Sequence, residues 1–507
     1  MTTTPDRMAI PPDSPAVPVD PHYERRWLIL LVVLIAQVMI LIDATVINVA
    51  LPSAQKSLHF STANREWVIT AYVLAFGSLL PLGGRLADLL GRKKMFLLGL
   101  VGFGLFSAVA GAAPDTAVLL IARTLQGVFA AVLAPTAVSM IAVTFTDPGE
   151  RNKAFAIFGA GSGSAGALGL LLGGVLTSYV NWRWTMFVNV AFAAAAIVGA
   201  LALMTNSADP RRPRLDVPGT ILVSGGLFLL VFGGAKAETD GWGASITIAS
   251  FVVGLVLLAG FILVERRASY ALVPLRVLTN RNRGASYLAL GLSNASLFAV
   301  FLFLTYYFQE ILGYSPVKTG LLFLPVPLSI GVAATITQAK LLPLLSTRSI
   351  LAGGMTLSAI GVGLLTQVGV QGDYVAWVLP SLVLMGAGFG PAFVVAIAMG
   401  SVPDHPEDAG TAGSMNNVSQ QIGAALGIAL ISTIVASATT SYLHAHAPTN
   451  SSTLAHASVH GYRAGSWWAA AIFLAGAVIC SAVVKPKIYL SDAATTEAVE
   501  ETIPAIG

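Results

Sequence analysis

A chain of 507 residues with 55% hydrophobic and only 10% charged side chains, and a mean hydropathy of +0.78, carries more apolar surface than a soluble fold absorbs. Its net charge of +4 is the Lys and Arg excess that membrane proteins keep in cytoplasmic loops, so it gives no sign of a nucleic-acid partner. The single cysteine, Cys480, excludes an intramolecular disulfide.

In chain order, residues 1–26 come first, with Pro5, Pro11, Pro12, Pro15, Pro18 and Pro21. They cannot pack a core and read as a disordered end, as does the tail at 485–507. The first apolar run is too long for a signal-peptide core and is expected to stay as an anchor. Fourteen apolar runs are predicted, at 27–51, 66–86, 94–112, 117–139, 154–178, 185–204, 217–235, 246–264, 285–308, 319–339, 349–368, 375–400, 412–435 and 463–484. About 20 apolar residues span roughly 30 Å of hydrocarbon, where only helices or closed barrels satisfy their backbone groups. The expected class is an all-α integral membrane protein.

With the N-terminus inside, alternate loops place 21 of the 28 Lys and Arg on one side and six on the other, leaving Arg123 within a helix. Both ends are therefore expected in the cytoplasm. The runs group as a six-helix bundle at 27–204, a two-helix hairpin at 217–264 and a second six-helix bundle at 285–484. Two six-helix bundles around a midplane cavity are a common transporter plan.

Helix 1 contains Leu41-Ile42-Asp43-Ala44-Thr45-Val46-Ile47-Asn48-Val49-Ala50-Leu51-Pro52. Asp43 lies about eight residues, or roughly 12 Å, from the outer end. Loop 2–3 reads Gly83-Gly84-Arg85-Leu86-Ala87-Asp88-Leu89-Leu90-Gly91-Arg92-Lys93-Lys94. Gly84 and Gly91 would let helices approach, and Asp88 stands among cations. Helix 4 carries Arg123-x-x-Gln126-Gly127, with Arg123 roughly 9 Å inside its outer end. A guanidinium in hydrocarbon costs from about 2.5 to over 10 kcal/mol and needs a partner or water. Asp43 sits at similar depth. Burial disfavours a carboxylate's charged form, a guanidinium favours it, and their balance can place titration near neutrality.

The stretch Gly84-x-Leu86-Ala87-Asp88-x-x-Gly91-Arg92-Lys93 resembles the signature of the major facilitator superfamily. The segments around Asp43 and Arg123 resemble those of its fourteen-helix drug:proton antiporters. The resemblance implies two six-helix bundles with an inserted hairpin, and a loop motif that latches the cytoplasmic gate in the outward-open state. It also implies that Asp43 serves proton or substrate coupling and that Arg123 adjusts its proton affinity, with Gln126 and Asn48 in the same signatures. The plainer readings are a basic cytoplasmic turn and a structural ion pair.

Helix 5 holds Gly159, Gly161, Gly163, Gly166, Gly169, Gly173 and Gly174. Gly161-x-Gly163-x-x-Gly166 mimics a dinucleotide fingerprint, but that needs a strand–turn–helix context. Small residues in a membrane helix instead let neighbours approach. The stretch resembles the antiporters' helix-5 motif, with Leu170 where proline is usual, and Asn181-Trp182-Arg183-Trp184 with Asn189 fits their turn into helix 6. Helix 13 offers Asn416, Asn417, Gln420 and Gln421, the last three on one face. These either bind substrate or hydrogen-bond between helices. The resemblance would often place Arg at Gln420. Between helices 13 and 14, His444, His446, His456 and His460 are either zinc ligands or incidental in an Ala/Ser/Thr-rich loop; no metal is expected.

Walker A, HExxH and GxSxG patterns are absent, which disfavours ATP-driven transport and hydrolysis in this chain. The expectation is a non-enzymatic, proton-coupled exporter of small lipophilic or cationic drugs or antibiotics, in a bacterial inner membrane, acting as a monomer without a cofactor other than protons. The alternatives are a dedicated exporter of one endogenous metabolite and a non-transporting membrane sensor or scaffold.

Overall fold

The computed structural model describes residues 25–61, 65, 67–205, 216–268, 273–402, 409–446 and 450–486. The expectations for the two chain ends lie largely outside these residues. Among the described residues fourteen long helices run back and forth: α1 Arg26–Leu58, α2 Trp67–Leu90, α3 Arg92–Ala112, α4 Thr116–Thr144, α5 Pro148–Tyr179, α6 Trp184–Leu203, α7 Val217–Asp240, α8 Ser245–Glu265, α9 Arg281–Tyr306, α10 from Pro316–Phe323 through Pro325–Ile336, α11 Thr347–Leu364, α12 Leu379–Ser401, α13 Ala409–Ala445 and α14 Ser451–Val483. Thirteen are long and apolar enough to cross a membrane. The other, α5, has 32 residues, and its apolar stretch is Leu168–Tyr179.

The short polar turns end one helix and start the next by capping. Asp115, Asp147, Asp216, Ser315, Ser346 and Asn450 each accept a backbone N–H three residues on. This satisfies amides that a helix start leaves unpaired. Helix ends overrun the predicted apolar runs where solvent-facing residues continue the helical ladder. α1 passes through Pro52 to Leu58. The expected histidine loop shrinks most, because α13 runs on to Ala445 and α14 begins at Ser451. Ala, Ser, Thr and His support a helix outside hydrocarbon, so hydropathy marks the span and misses the helix end.

α1, α3, α4, α5 and α6 pack together with α2 as one half, and α9 to α14 as the other. The hairpin α7–α8 leans through α7 on both α2 and α13. Val252, Leu255, Val256 and Leu263 on α8 stay exposed, as lipid-facing side chains do. Between halves, α2 meets α13, α5 meets α10 and α1 meets α9.

The helices alternate between two faces: a first face with the start of α1 and the α2–α3 turn, and a second face opposite. At the second face the halves are tied together. Arg65 Nη1 pairs with Glu310 Oε1 at 3.2 Å, and its guanidinium lies 3.4 Å from the centroid of the Tyr306 ring. Gln309 Nε2 donates to Val49 O at 3.0 Å, and Val317 N donates to Ser178 Oγ at 3.0 Å.

The alternation makes topology testable. Reporters fused after Arg214, Arg283 or Lys487 should report cytoplasm, whereas fusions near Gly241 or between α13 and α14 should report the outside. A cytoplasmic signal near Gly241 would show that α7 and α8 do not span.

Candidate functional site

Five helices of the first half converge on one acid. Asp43 (α1), Ser107 (α3), Arg123 and Gln126 (α4) and Asn189 (α6) are each 0% exposed, and Tyr72 (α2) is 1% exposed. Small residues permit this convergence. A Cβ on Gly127 would lie 2.9 Å from Ala75 Cβ and 3.1 Å from Phe76 N, so α2 and α4 run close enough for Arg123 to reach across α2. A Cβ on Gly169 would meet Ile42 O at 3.0 Å, and one on Gly173 would meet Val46 O at 2.8 Å. These two glycines seat α5 on α1 beside Asp43.

Arg123 Nη1 donates to Asp43 Oδ2 at 2.6 Å and to Gln126 Oε1 at 3.2 Å, while Nε donates to Val68 O at 3.1 Å. The guanidinium carbon lies 4.4 Å from the Tyr72 ring centroid, within cation–π range. Asp43 Oδ1 accepts from Asn189 Nδ2 at 2.7 Å and from Gln126 Nε2 at 3.4 Å. Gln126 Nε2 also donates to Ser107 Oγ at 2.6 Å. Both carboxylate oxygens thus face donors, an arrangement that suits the ionised acid. Removing either charge would strand the other, at about 3–5 kcal/mol for a buried pair.

Asp43, Arg123 and Gln126 are brought together; Asn48 is not. Asn48 is buried, donates through Nδ2 to Ala44 O at 3.1 Å, and leaves Oδ1 unpartnered. Five residues beyond Asp43, it points to a different side of α1. Ser107, Tyr72 and the role of Asn189 were not evident from the sequence. The available signal was an isolated amide or hydroxyl within an apolar run, which marks a functional position in membrane helices.

On α13 the amides divide. Asn416 Nδ2 bonds Ser401 Oγ at 2.8 Å and Ile397 O at 3.3 Å, which ties α13 to α12. Gln420 Nε2 returns to Asn416 O at 3.2 Å. Gln421 faces the other half, its Cβ 3.4 Å from where a Cβ on Gly77 would sit. Asn417 is half-buried on the same helix.

In the α2–α3 turn, Gly84 faces Pro135 of α4 at 3.5 Å from a Cβ. Gly91 has a φ of 99° and is the turn residue itself, a conformation that favours glycine. Gly83 makes a tight approach to α4, where a Cβ would lie 2.6 Å from the Ala131 carbonyl carbon. Arg92 Nε donates to Ser139 Oγ at 2.5 Å and Lys93 Nζ to Met204 O at 2.5 Å, bracing α3 on α4 and α6. The Asp88 side chain lies outside the described residues.

Gly174 works between halves: a Cβ there would lie 2.7 Å from Pro316 O and 2.8 Å from Val317 Cα. Leu170, where the resemblance would place proline, is buried, and its carbonyl oxygen lies 2.5 Å from a Cβ on Gly320. His446 stacks on Tyr442 with centroids 4.0 Å apart, and His460 lies 5.2 Å from the same ring.

A family model described as the Major Facilitator Superfamily matches residues 33–428. A puromycin resistance protein of Streptomyces alboniger is 44% identical over 98% of both chains. A cephamycin export protein of Amycolatopsis lactamdurans is 36% identical over 80% of this chain and 84% of its own. Among solved structures, a bacterial homologue of the human lysosomal transporter Spinster, in an inward-facing occupied conformation, superposes with a TM-score of 0.62 at 15% identity, over 93% of this chain and 98% of its own. That likeness concerns the fold.

Proposed function

This chain belongs to the major facilitator superfamily, and from that premise we propose that it exports small lipophilic or cationic drugs or antibiotics in exchange for protons. It is a multi-pass membrane protein. In this reading it sits in a bacterial inner membrane with both termini in the cytoplasm. It acts as a monomer, since one chain supplies both halves, and it catalyses no covalent chemistry.

The observation that carries the reading is the fully buried Asp43–Arg123 pair, 2.6 Å apart. Burying two charges is a poor way to gain stability alone, whereas a titratable acid inside a membrane bundle is what proton coupling requires. In the ionised state Asp43 holds α1 against α4 and α6. Protonation removes the charge that Arg123 attracts and loosens that junction. Substrate entering from the cytoplasm or inner leaflet and a proton entering from outside then favour opposite openings of the two halves. Each ligand shifts the equilibrium by its differential affinity for the two states.

A second reading, a dedicated exporter of one compound, draws on the two relatives, whose names each specify one antibiotic. A panel of dyes, quaternary amines and antibiotics, in a host lacking its own pumps, separates the two. Broad protection supports multidrug export and protection against a single compound supports the dedicated exporter. In either case an uncoupler should restore drug accumulation. Accumulation that is the same with and without the chain would refute transport.

A further inference from the structure

Among the described residues Asp43 accepts from three donors. Arg123 Nη1 lies on Oδ2, and Asn189 Nδ2 and Gln126 Nε2 lie on Oδ1. A guanidinium has no acceptor capacity. A neutral carboxylic acid, however, carries an O–H that must find an acceptor when buried. Gln126 cannot supply one cheaply, because Oε1 already accepts from Arg123 at 3.2 Å and Nε2 donates to Ser107 at 2.6 Å. The Tyr72 hydroxyl is buried and makes no hydrogen bond to Asp43. Asn189 differs from all of these. Its Nδ2 serves Asp43, while its Oδ1 is buried on a 0% exposed side chain with no protein partner.

We propose that the Asn189 carboxamide is the positioning group that follows the charge of Asp43, donating through Nδ2 to the carboxylate and turning to accept through Oδ1 from the neutral acid. The inference rests on the reading of Asp43 as the proton-coupling group. When a proton from the aqueous side adds to Asp43 Oδ1, the Nδ2–H···Oδ1 bond is lost. Half a turn about the Asn189 Cβ–Cγ bond replaces it with an O–H···Oδ1 bond, and only one hydrogen bond is exchanged. Among the described residues the charged and titratable groups facing Asp43 are Arg123 from α4 and Tyr72 from α2; α3 and α6 present Ser107 and Asn189. One amide on α6 therefore stays bonded to the acid in both states, which keeps a neutral Asp43 from being stranded in an apolar core.

The test is infrared difference spectroscopy during acid titration of the purified full chain in lipid vesicles. The carbonyl band of protonated Asp43 is identified by its loss in Asp43→Asn. In Asn189→Leu, which removes the acceptor, that band should move to higher wavenumber. In Asn189→Asp, which sets a second carboxylate beside the first, the midpoint for its appearance should rise by about one to three pH units. Should Asn189→Leu fail to fold, Asn189→Ala gives the same band reading, because it too removes the acceptor. An unmoved band in a folded Asn189→Leu protein, or an unmoved midpoint in Asn189→Asp, overturns the role of Asn189 and leaves Asp43 as the coupling group. If Asp43→Asn removes no band, Asp43 does not titrate, and the coupling reading falls together with this one.

Discussion

Asp43→Asn should reduce proton-driven export to the level of cells lacking the chain. Asparagine keeps the volume and an acceptor for Arg123 Nη1, now 2.6 Å from Asp43 Oδ2, but it cannot change charge. The same substitution leaves Arg123 as a buried cation without its anion, which should lower stability by about 3–5 kcal/mol. Loss of export from this variant alone could therefore reflect damage. The double variant Asp43→Asn with Arg123→Leu separates the effects, because replacing both charges of a buried pair is often close to neutral. Thermal stability should recover most of the loss, drug binding should persist, and gradient-driven export should stay absent. Restored export in the double variant would reduce the pair to a structural role and direct attention to Glu310 at the second face. Arg123→Lys should rescue little, since one ammonium cannot reach Val68 O, Gln126 and Asp43 with the spread of a guanidinium.

Gly174→Leu should strike the other half of the cycle. A Cβ at this position already meets Pro316 O at 2.7 Å, so a leucine forces α5 and α10 apart where the second face closes. Overpacking of this kind costs about 1–3 kcal/mol. If it acts only on the closed arrangement, it shifts the balance of states by roughly 5- to 150-fold. Each half should still fold, because the clash lies between halves. The readout is thiol labelling of a cysteine introduced at Thr177, whose Oγ1 is buried and which lies three residues from Gly174 on the same helix face. The native Cys480 is 0% exposed and contributes little background. Labelling should rise in the presence of Gly174→Leu and export should fall. Unchanged labelling with full export would show that this contact does not govern closure.

Much of the architecture was legible because membrane burial leaves a local signature. Each span must be a run of about 20 apolar residues, and a charge inside a run is costly enough to stand out. Asp43 and Arg123 were therefore visible as a pair matched in depth before any helix was placed. Asn48 shows the limit of that reasoning. It shares a run and a signature with Asp43, yet five residues of helical rotation turn it toward Ala44 O and away from the cluster. The histidines at the end of α13 and the start of α14 show another limit: apolarity marks where lipid ends, whereas hydrogen bonding continues the helix into water.

The sequence by itself determined the all-helical, many-span architecture and the acid and base held at one depth. Those features follow from the composition of contiguous segments against a solvent of fixed thickness. Tertiary structure alone decided which small polar groups complete the site. Ser107 and Asn189 come from α3 and α6, whose sequences give no sign that they face α1 and α4. It also decided which glycines matter and where: Gly169 and Gly173 against α1, Gly174 against the other half, and Gly91 in the turn. Such assignments depend on helices distant in sequence approaching within van der Waals contact, and the pattern of any single segment holds no record of its neighbour.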